Sequence, residues 1–200
     1  MNGSVSGIIL AGGANKRFGG LIKSNIVVDG ETIVSGIIEK LSVFFEEIIV
    51  VTNSPEEFSQ YHGIKIVGDI FINSGPLGGI HSGMKLSSNE AVFVFAGDMP
   101  LLDTGIIRRQ IDVWKSNSCD ILVPRIGENI EPLHSIYSRS VLPLLEEYLS
   151  GRNICAVRDF FRLVNVGYFD PGENEESVRA FTNVNYPSDL EALTRNRKGC

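Results

Sequence analysis

The sequence has few cysteines, no long apolar run and no surplus of positive charge. Its three cysteines, Cys119, Cys155 and Cys200, lie far apart and form no Cys-x-x-Cys pair. That pattern argues against a disulfide framework and a structural zinc site, and it suits a reducing, cytoplasmic compartment. No stretch approaches the ~20 apolar residues that span a bilayer. The opening Met-Asn-Gly-Ser-Val-Ser lacks a basic and then apolar leader, so no signal peptide is expected. With 18 basic against 24 acidic residues the net charge is −6, which argues against coating a nucleic acid. A small basic cluster that binds phosphates remains compatible with that balance.

What is present is an ordinary globular composition, 43% hydrophobic and 21% charged, enough for a real core. No break in composition and no repeat divides the chain, so one domain over residues 1–200 is expected. Strands are expected over Ser6–Leu10, Glu47–Thr52, Ile64–Val67, Ala91–Phe95, Asp120–Pro124, Leu133–Tyr137 and Leu163–Phe169. Helices are expected over Thr32–Phe44, Pro55–Tyr61, Gly79–Lys85, Thr104–Lys115, Ser138–Ser150, Ile154–Phe160 and Ser188–Thr194. Ile48-Ile-Val-Val51 and Val92-Phe-Val-Phe95 are continuous apolar runs, as in strands buried on both faces of a parallel sheet. Alternation of such strands with helices gives βαβ units and a layered α/β fold. The acidic stretch Asp170–Glu176 is expected to be an exposed loop, and Thr194–Cys200 a frayed tail.

Chemistry concentrates after the first strand. Leu10-Ala-Gly-Gly-Ala-Asn-Lys-Arg-Phe-Gly-Gly20 turns out of the sheet with Lys16 and Arg17, and Lys23 follows. Glycines let backbone N–H groups approach phosphate oxygens, and nearby cations neutralise them. A P-loop is excluded because Ile22, not glycine, precedes Lys23-Ser24. The Gly12-Gly13 and Gly19-Gly20 pairs do not give the Gly-x-Gly-x-x-Gly dinucleotide spacing either. On the residues alone, Asp98 in Asp98-Met-Pro100 reads as a magnesium ligand or as a simple turn aspartate. Asn53 reads as a ligand group or as a cap before Ser54-Pro55. Gly75–Ile80 is expected to form a tight turn into a helix. His62 and His81 show no partner pattern, and Trp114 reads as packing.

The pattern Leu10-Ala-Gly-Gly-x-x-x-Arg17-Phe-Gly19-x-x-x-Lys23 resembles the opening signature of the nucleotidyltransferase superfamily. Asp69 followed by Gly75-Pro-Leu-Gly-Gly-Ile80, then Ala96-Gly-Asp98-Met-Pro100, Glu131–Tyr137 and Asn183-Val-Asn185, narrow the resemblance to the molybdenum cofactor guanylyltransferases, the MobA family. Two positions depart from that pattern: Gly97 stands where cysteine is usual, and Gly78 where alanine is common.

The resemblance implies a three-layer αβα sandwich with a Rossmann-like, mostly parallel sheet of the nucleotide-diphospho-sugar transferase type. It implies transfer of GMP from GTP to the phosphate of molybdopterin, forming the guanine dinucleotide and pyrophosphate, with Mg²⁺ as cofactor. Arg17, Lys23 and Asp98 would be catalytic, with Asp98 holding the metal. Leu10, Ala11, Gly12, Gly13, Lys23, Asn53, Asp69, Gly75, Pro76, Leu77 and Asp98 would line the nucleotide. His134, Asn183 and Asn185 would face the acceptor. Molybdoenzyme maturation proteins are the expected protein partners. A related CTP-dependent transferase and a non-catalytic nucleotide or cofactor carrier stand as alternatives.

Overall fold

Strands that are apolar on every residue have no face suited to water, so helices must cover both sides of the sheet they form. The computed structural model has this arrangement; it describes residues 4–12, 27–28, 31–151, 155–172, 174–184 and 189. In chain order the first strands are β1 (Val5–Leu10), β2 (Val27–Val28), β3 (Glu31–Thr32), β4 (Ile48–Val51) and β5 (Lys65–Val67). They are followed by β6 (Ala91–Ala96), β7 (Ile121–Ile126), β8 (Asn129–Ile130), β9 (His134–Ser138) and β10 (Val166–Phe169). The helices are α1 (Ile33–Ser42), α2 (Gly75–Leu86), α3 (Thr104–Lys115), α4 (Leu142–Ser150), α5 (Val157–Phe160) and α6 (Glu175–Ala180).

The main sheet runs β10-β7-β9-β6-β1-β4-β5, with β8 paired to β7. Along this path every pairing is parallel except those of β9, which is antiparallel to both β6 and β7. Alternate residues divide between two cores. Ile9, Val50, Phe93, Leu122 and Ile136 pack with Ile37 of α1, Ile106 of α3 and Ala180 of α6. Their neighbours Ile8, Ile49, Val94, Ile121 and Tyr137 pack with Leu77 of α2, Leu145 of α4 and Phe160 of α5. The result is the expected three-layer α/β architecture.

Helix ends follow their capping chemistry. Asp103 opens α3 by accepting from Ile106 N at 2.8 Å, and α3 spans the expected residues. Thr32 caps α1 through Ser35 N at 3.1 Å. Pro143 begins α4 rather than lying inside a longer helix, so the expected Ser138–Ser150 helix splits into a 3₁₀ turn, Arg139–Val141, and α4. Pro55–Phe58 is likewise only a 3₁₀ turn. The expected acidic loop is corrected in part: Asn174 accepts from Ser177 N at 2.8 Å and starts α6 at Glu175. Of the expected helix Ser188–Thr194 only Asp189, which is helical, lies within the described residues.

At the amino-terminal foot of the sheet, one carboxylate ties four segments together. Glu47, just before β4, accepts from Ser6 Oγ of β1 at 2.5 Å and from Lys65 Nζ of β5 at 2.5 Å. It also accepts from Ser88 N and Ser88 Oγ, both at 2.9 Å, ahead of β6. Burial raises its pKa, but hydrogen bonds from Lys65, Ser6 and Ser88 outweigh burial and bring it from 4.5 down to about 2. A depressed folded-state pKa stabilises the fold fully above the unfolded value, and that contribution disappears as pH falls. Stability to urea is therefore expected to decline between pH 4.5 and about 2 in the wild type, and to decline less over that window in Glu47→Gln. Equal pH slopes in the two proteins would exclude Glu47 as a source of acid sensitivity.

Candidate active site

The carboxyl ends of β5, β4, β1 and β6 lie side by side, and each delivers residues of the expected site. In open α/β sheets this edge is where ligands bind. Val67, Val51, Leu10 and Ala96 are in register across the four strands. Beyond that level follow Gly68-Asp69, Thr52-Asn53, Ala11-Gly12 and Gly97-Asp98.

β1 leaves the sheet between its two neighbours. Ala11 N donates to Val51 O at 2.9 Å, and Leu10 O accepts from Gly97 N at 3.0 Å. Ala11 is buried, whereas Gly12 is exposed with open space where a Cβ would stand. Gly13, Lys16, Arg17 and Lys23 lie outside the described residues. Gly97 is tightly enclosed: a Cβ there would lie 2.8 Å from Leu10 O and 3.2 Å from Ala11 Cα. The departure from cysteine at this position is therefore a steric requirement of this backbone.

Asn53 does not cap the 3₁₀ turn that follows; Ser54 is the capping position and makes no side-chain cap bond. Asn53 instead pairs reciprocally with Asp69. Its Nδ2 donates to Asp69 Oδ2 at 2.9 Å, and Asp69 N donates to Asn53 Oδ1 at 3.0 Å. The pair closes the ends of β4 and β5 and fixes the Asp69 carboxylate. The other oxygen, Oδ1, faces Gly79 of α2, 3.6 Å from where a Cβ would be. Asp69 and Asp98 stand at the same level but three strand spacings apart, about 14 Å. One cation cannot bridge carboxylates at that spacing.

Gly75-Pro-Leu-Gly-Gly was expected to precede its helix, but it forms the first turn and a half of α2. The tight turn comes earlier, where Asn73 (φ 63°) and Gly75 (φ 62°) are left-handed. Leu77 is fully buried in the core, so only its main chain is available to a ligand, whereas Gly75 and Pro76 are exposed. Glycines also let α2 press on β1: a Cβ at Gly79 would meet Leu10 Cδ2 at 3.0 Å, and one at Gly83 would meet Ile8 Cδ1 at 2.5 Å. The preceding loop is tied down by Ser82 Oγ, which receives Ile70 N at 2.8 Å and donates to Gly78 O at 3.0 Å.

Asp98 is half-buried at the end of β6. Its carbonyl accepts from Val184 N at 2.8 Å, which brings the exposed Asn183 alongside. Asn185 lies outside the described residues. The turn after Asp98 is held from α1, where Lys40 Nζ donates to Pro100 O at 3.4 Å and to Leu102 O at 3.0 Å. Asp98-Met-Pro is thus a turn anchored through its main chain. Among the described residues no three His, Cys, Asp or Glu side chains gather to hold a metal. Magnesium needs no such cluster, since one or two carboxylates, waters and substrate phosphates complete its shell. Asp98 fits that pattern.

His134 is corrected. It was expected to face the acceptor, yet it is fully buried in β9, with Nδ1 3.2 Å from Gln110 Oε1. Phe93, Phe95 and Phe181 meet its ring edge-on at 5.1, 5.1 and 4.9 Å. Burial lowers its pKa to about 4, so the ring is neutral at physiological pH. His81, in which the sequence showed no partner, is also buried; its Nε2 is 3.1 Å from Glu146 Oε1, which receives Lys85 Nζ at 2.6 Å. Glu146 lies on α4, too distant in the chain for any local pattern to reveal the pairing.

The sequence profile of the MobA-like NTP transferase domain matches residues 7–166. The chain belongs to this family. A protein of Natranaerobius thermophilus named "Probable molybdenum cofactor guanylyltransferase" is 32% identical over 196 residues, covering 96% of this chain and 95% of that one. The molybdenum cofactor guanylyltransferase of Syntrophotalea carbinolica is 31% identical over 197 residues, covering 97% and 92%. The crystal structure of molybdopterin-guanine dinucleotide biosynthesis protein A from Archaeoglobus fulgidus shares the fold. Its TM-score is 0.83 at 22% identity, with 98% of this chain and 100% of that one covered. In this MobA-like transferase Asp69, Asn53, Leu10, Ala11, Gly12 and Asp98 stand on the edge assembled from β5, β4, β1 and β6.

Gly78 gives a sharp test of the loop–helix fit. Alanine inside a helix normally gains up to about 1 kcal/mol over glycine. Here a Cβ would lie 2.7 Å from Phe71 O and 3.2 Å from Ser74 Cβ. Backbone overpacking of this kind costs about 1–3 kcal/mol, so Gly78→Ala is expected to lower the urea midpoint. A raised midpoint would show that the 71–74 segment yields freely.

Proposed function

We propose that this transferase moves GMP from GTP to the terminal phosphate of molybdopterin, with Mg²⁺, releasing pyrophosphate. The observation that carries the reading is the separation of Asp69 and Asp98 along one sheet edge, with the end of β1 between them. Asp69, locked by Asn53, suits the nucleoside end. A carboxylate accepts from the N1 and amino donors of guanine, an arrangement that cytosine and adenine do not present. Asp98, three strands away, suits the reacting phosphate.

The transfer is an in-line displacement. An oxygen of the acceptor phosphate forms a bond to the α-phosphorus of GTP, and the bond from that phosphorus to the bridging oxygen breaks. The electron pair leaves with pyrophosphate. Asp98 would hold Mg²⁺, which when bound neutralises charge on the phosphate oxygens. Arg17 and Lys23 would draw off the charge that builds on the leaving pyrophosphate. Asn183, beside Asp98, and Asn185 would hydrogen-bond the acceptor. Leu10, Ala11, Gly12 and Gly13 would offer main-chain groups to the triphosphate, while Gly75, Pro76 and Leu77 lie along the nucleoside. No covalent enzyme intermediate is needed, and catalysis is positioning with charge stabilisation. A cytoplasmic site of action suits the buried, unpaired Cys119 and Cys155. No described helix is long and apolar enough to cross a membrane.

Pyrophosphate release, measured with each of four nucleoside triphosphates, Mg²⁺ and molybdopterin, tests the reading. GTP alone is expected to support turnover. Preference for CTP would favour the cytidylyl alternative, and saturable GTP binding without release would favour a carrier. Asp98→Ala is expected to cut turnover at least about 100-fold with the urea midpoint little changed. Full activity in that variant would remove Asp98 from the mechanism. Lys23→Ala is expected to raise the GTP dissociation constant, and unchanged affinity and turnover would remove Lys23 from the triphosphate site.

A further inference from the structure

The nucleotide half uses the edge from β5 to β6, but the same edge continues past β9 to β7 and β10, whose carboxyl ends point the same way. There an open recess is lined by Arg125, Gly127, Tyr168, Phe169 and Asp170. Arg125 Cζ lies 4.6 Å from the Tyr168 ring centroid, so the guanidinium is held against an aromatic face. It makes no hydrogen bond or ion pair among the described residues. A preorganised cation with its donors unspent faces solvent on the active edge.

The second charged group is Asp170. Its Oδ1 accepts from Gly172 N at 2.8 Å, which fixes the carboxylate in its own turn. The turn is held from α3, where Arg109 Nη2 donates to Pro171 O at 3.0 Å. Arg125 and Asp170 therefore line one recess with opposite charges that do not pair with each other. That arrangement offers donors on one side and an acceptor on the other, above an aromatic wall.

Register gives the distance to the chemistry. Leu122 of β7 is level with Ile136 of β9, which is level with Phe93 of β6. Arg125 is thus level with Ala96, two strand spacings from β6, about 10 Å. Asp98 lies two residues further along, about 7 Å. A fused heterocycle that carries a terminal phosphate spans such a gap, with its phosphate at Asp98 and its far ring in the recess.

We infer that Arg125 and Asp170, with Tyr168, form the subsite for the distal ring of the acceptor, a planar heterocycle bearing an exocyclic carbonyl and an exocyclic amine. Arg125 donates to the carbonyl and Asp170 accepts from the amine. This inference rests on the proposed transfer to molybdopterin. It adds the residues that select the acceptor's ring system.

The test combines steady-state kinetics with equilibrium binding of molybdopterin in the absence of nucleotide, using the full chain. Arg125→Gln and Asp170→Asn are expected to raise the acceptor KM and dissociation constant about tenfold or more, with the KM for GTP and the thermal midpoint unchanged. Arg125→Lys, which keeps the charge but loses the flat fork, is expected to restore only part of the affinity. Acceptor affinities within twofold of wild type, or a parallel rise in the KM for GTP, would overturn the assignment. If wild type binds molybdopterin without turnover and Arg125→Gln does not bind it, the subsite stands and the transferase reading falls. If wild type does not bind molybdopterin, the subsite falls.

Discussion

The site depends on how closely the end of β6 approaches the end of β1. At Gly97 the two backbones lie nearer than any side chain permits, and the Gly97–Leu10 hydrogen bond locks them there. α2 repeats the constraint from one face of the sheet, where Gly79 and Gly83 let its backbone settle on Leu10 and Ile8. Gly97, Gly79 and Gly83 thus act through the atoms they lack. They set the spacing among the turn that carries Asp98, the end of β1 and the start of α2.

Given that frame, the groups assigned to the proposed reaction are distributed by strand number. Asp69 and Asn53 take β5 and β4, Asp98 takes β6, and Arg125 and Asp170 take β7 and β10. β9, the antiparallel member, divides the two halves and presents no charge at their junction. His134 at its start is neutral and wedged among three aromatic rings, so it contributes shape rather than proton chemistry. An ionised imidazole there would be buried among aromatic rings with a heavy desolvation cost.

Much of this was legible in the residues, and the failures have identifiable causes. Strands buried on both faces announce themselves as unbroken apolar runs, so β4 and β6 were read within a residue or two. α3 has its expected bounds, and in the structure Asp103 caps its amphipathic run. α2 was begun a turn late because glycine and proline usually end helices, whereas here proline starts one and the glycines serve close packing. The β2–β3 hairpin went unread although Asp29-Gly30 between its strands is a strong hairpin signal. His134 was misassigned because residue type suggests chemistry, while its burial follows from pairing with Phe95 across β6, which only sheet register reveals. The same limit hid the Arg125–Tyr168 contact and the reciprocal Asn53–Asp69 pair.

The Glu47 cluster fastens β1, β4, β5 and the approach to β6 at the amino-terminal end of the sheet, opposite Asp69 and Asp98. Adhesion and chemistry are thereby assigned to opposite poles of the same strands. Side chains at the carboxyl rim can therefore be exchanged without loosening the contacts that keep the strands in step at the foot. The fold can change its occupation without renegotiating its foundation.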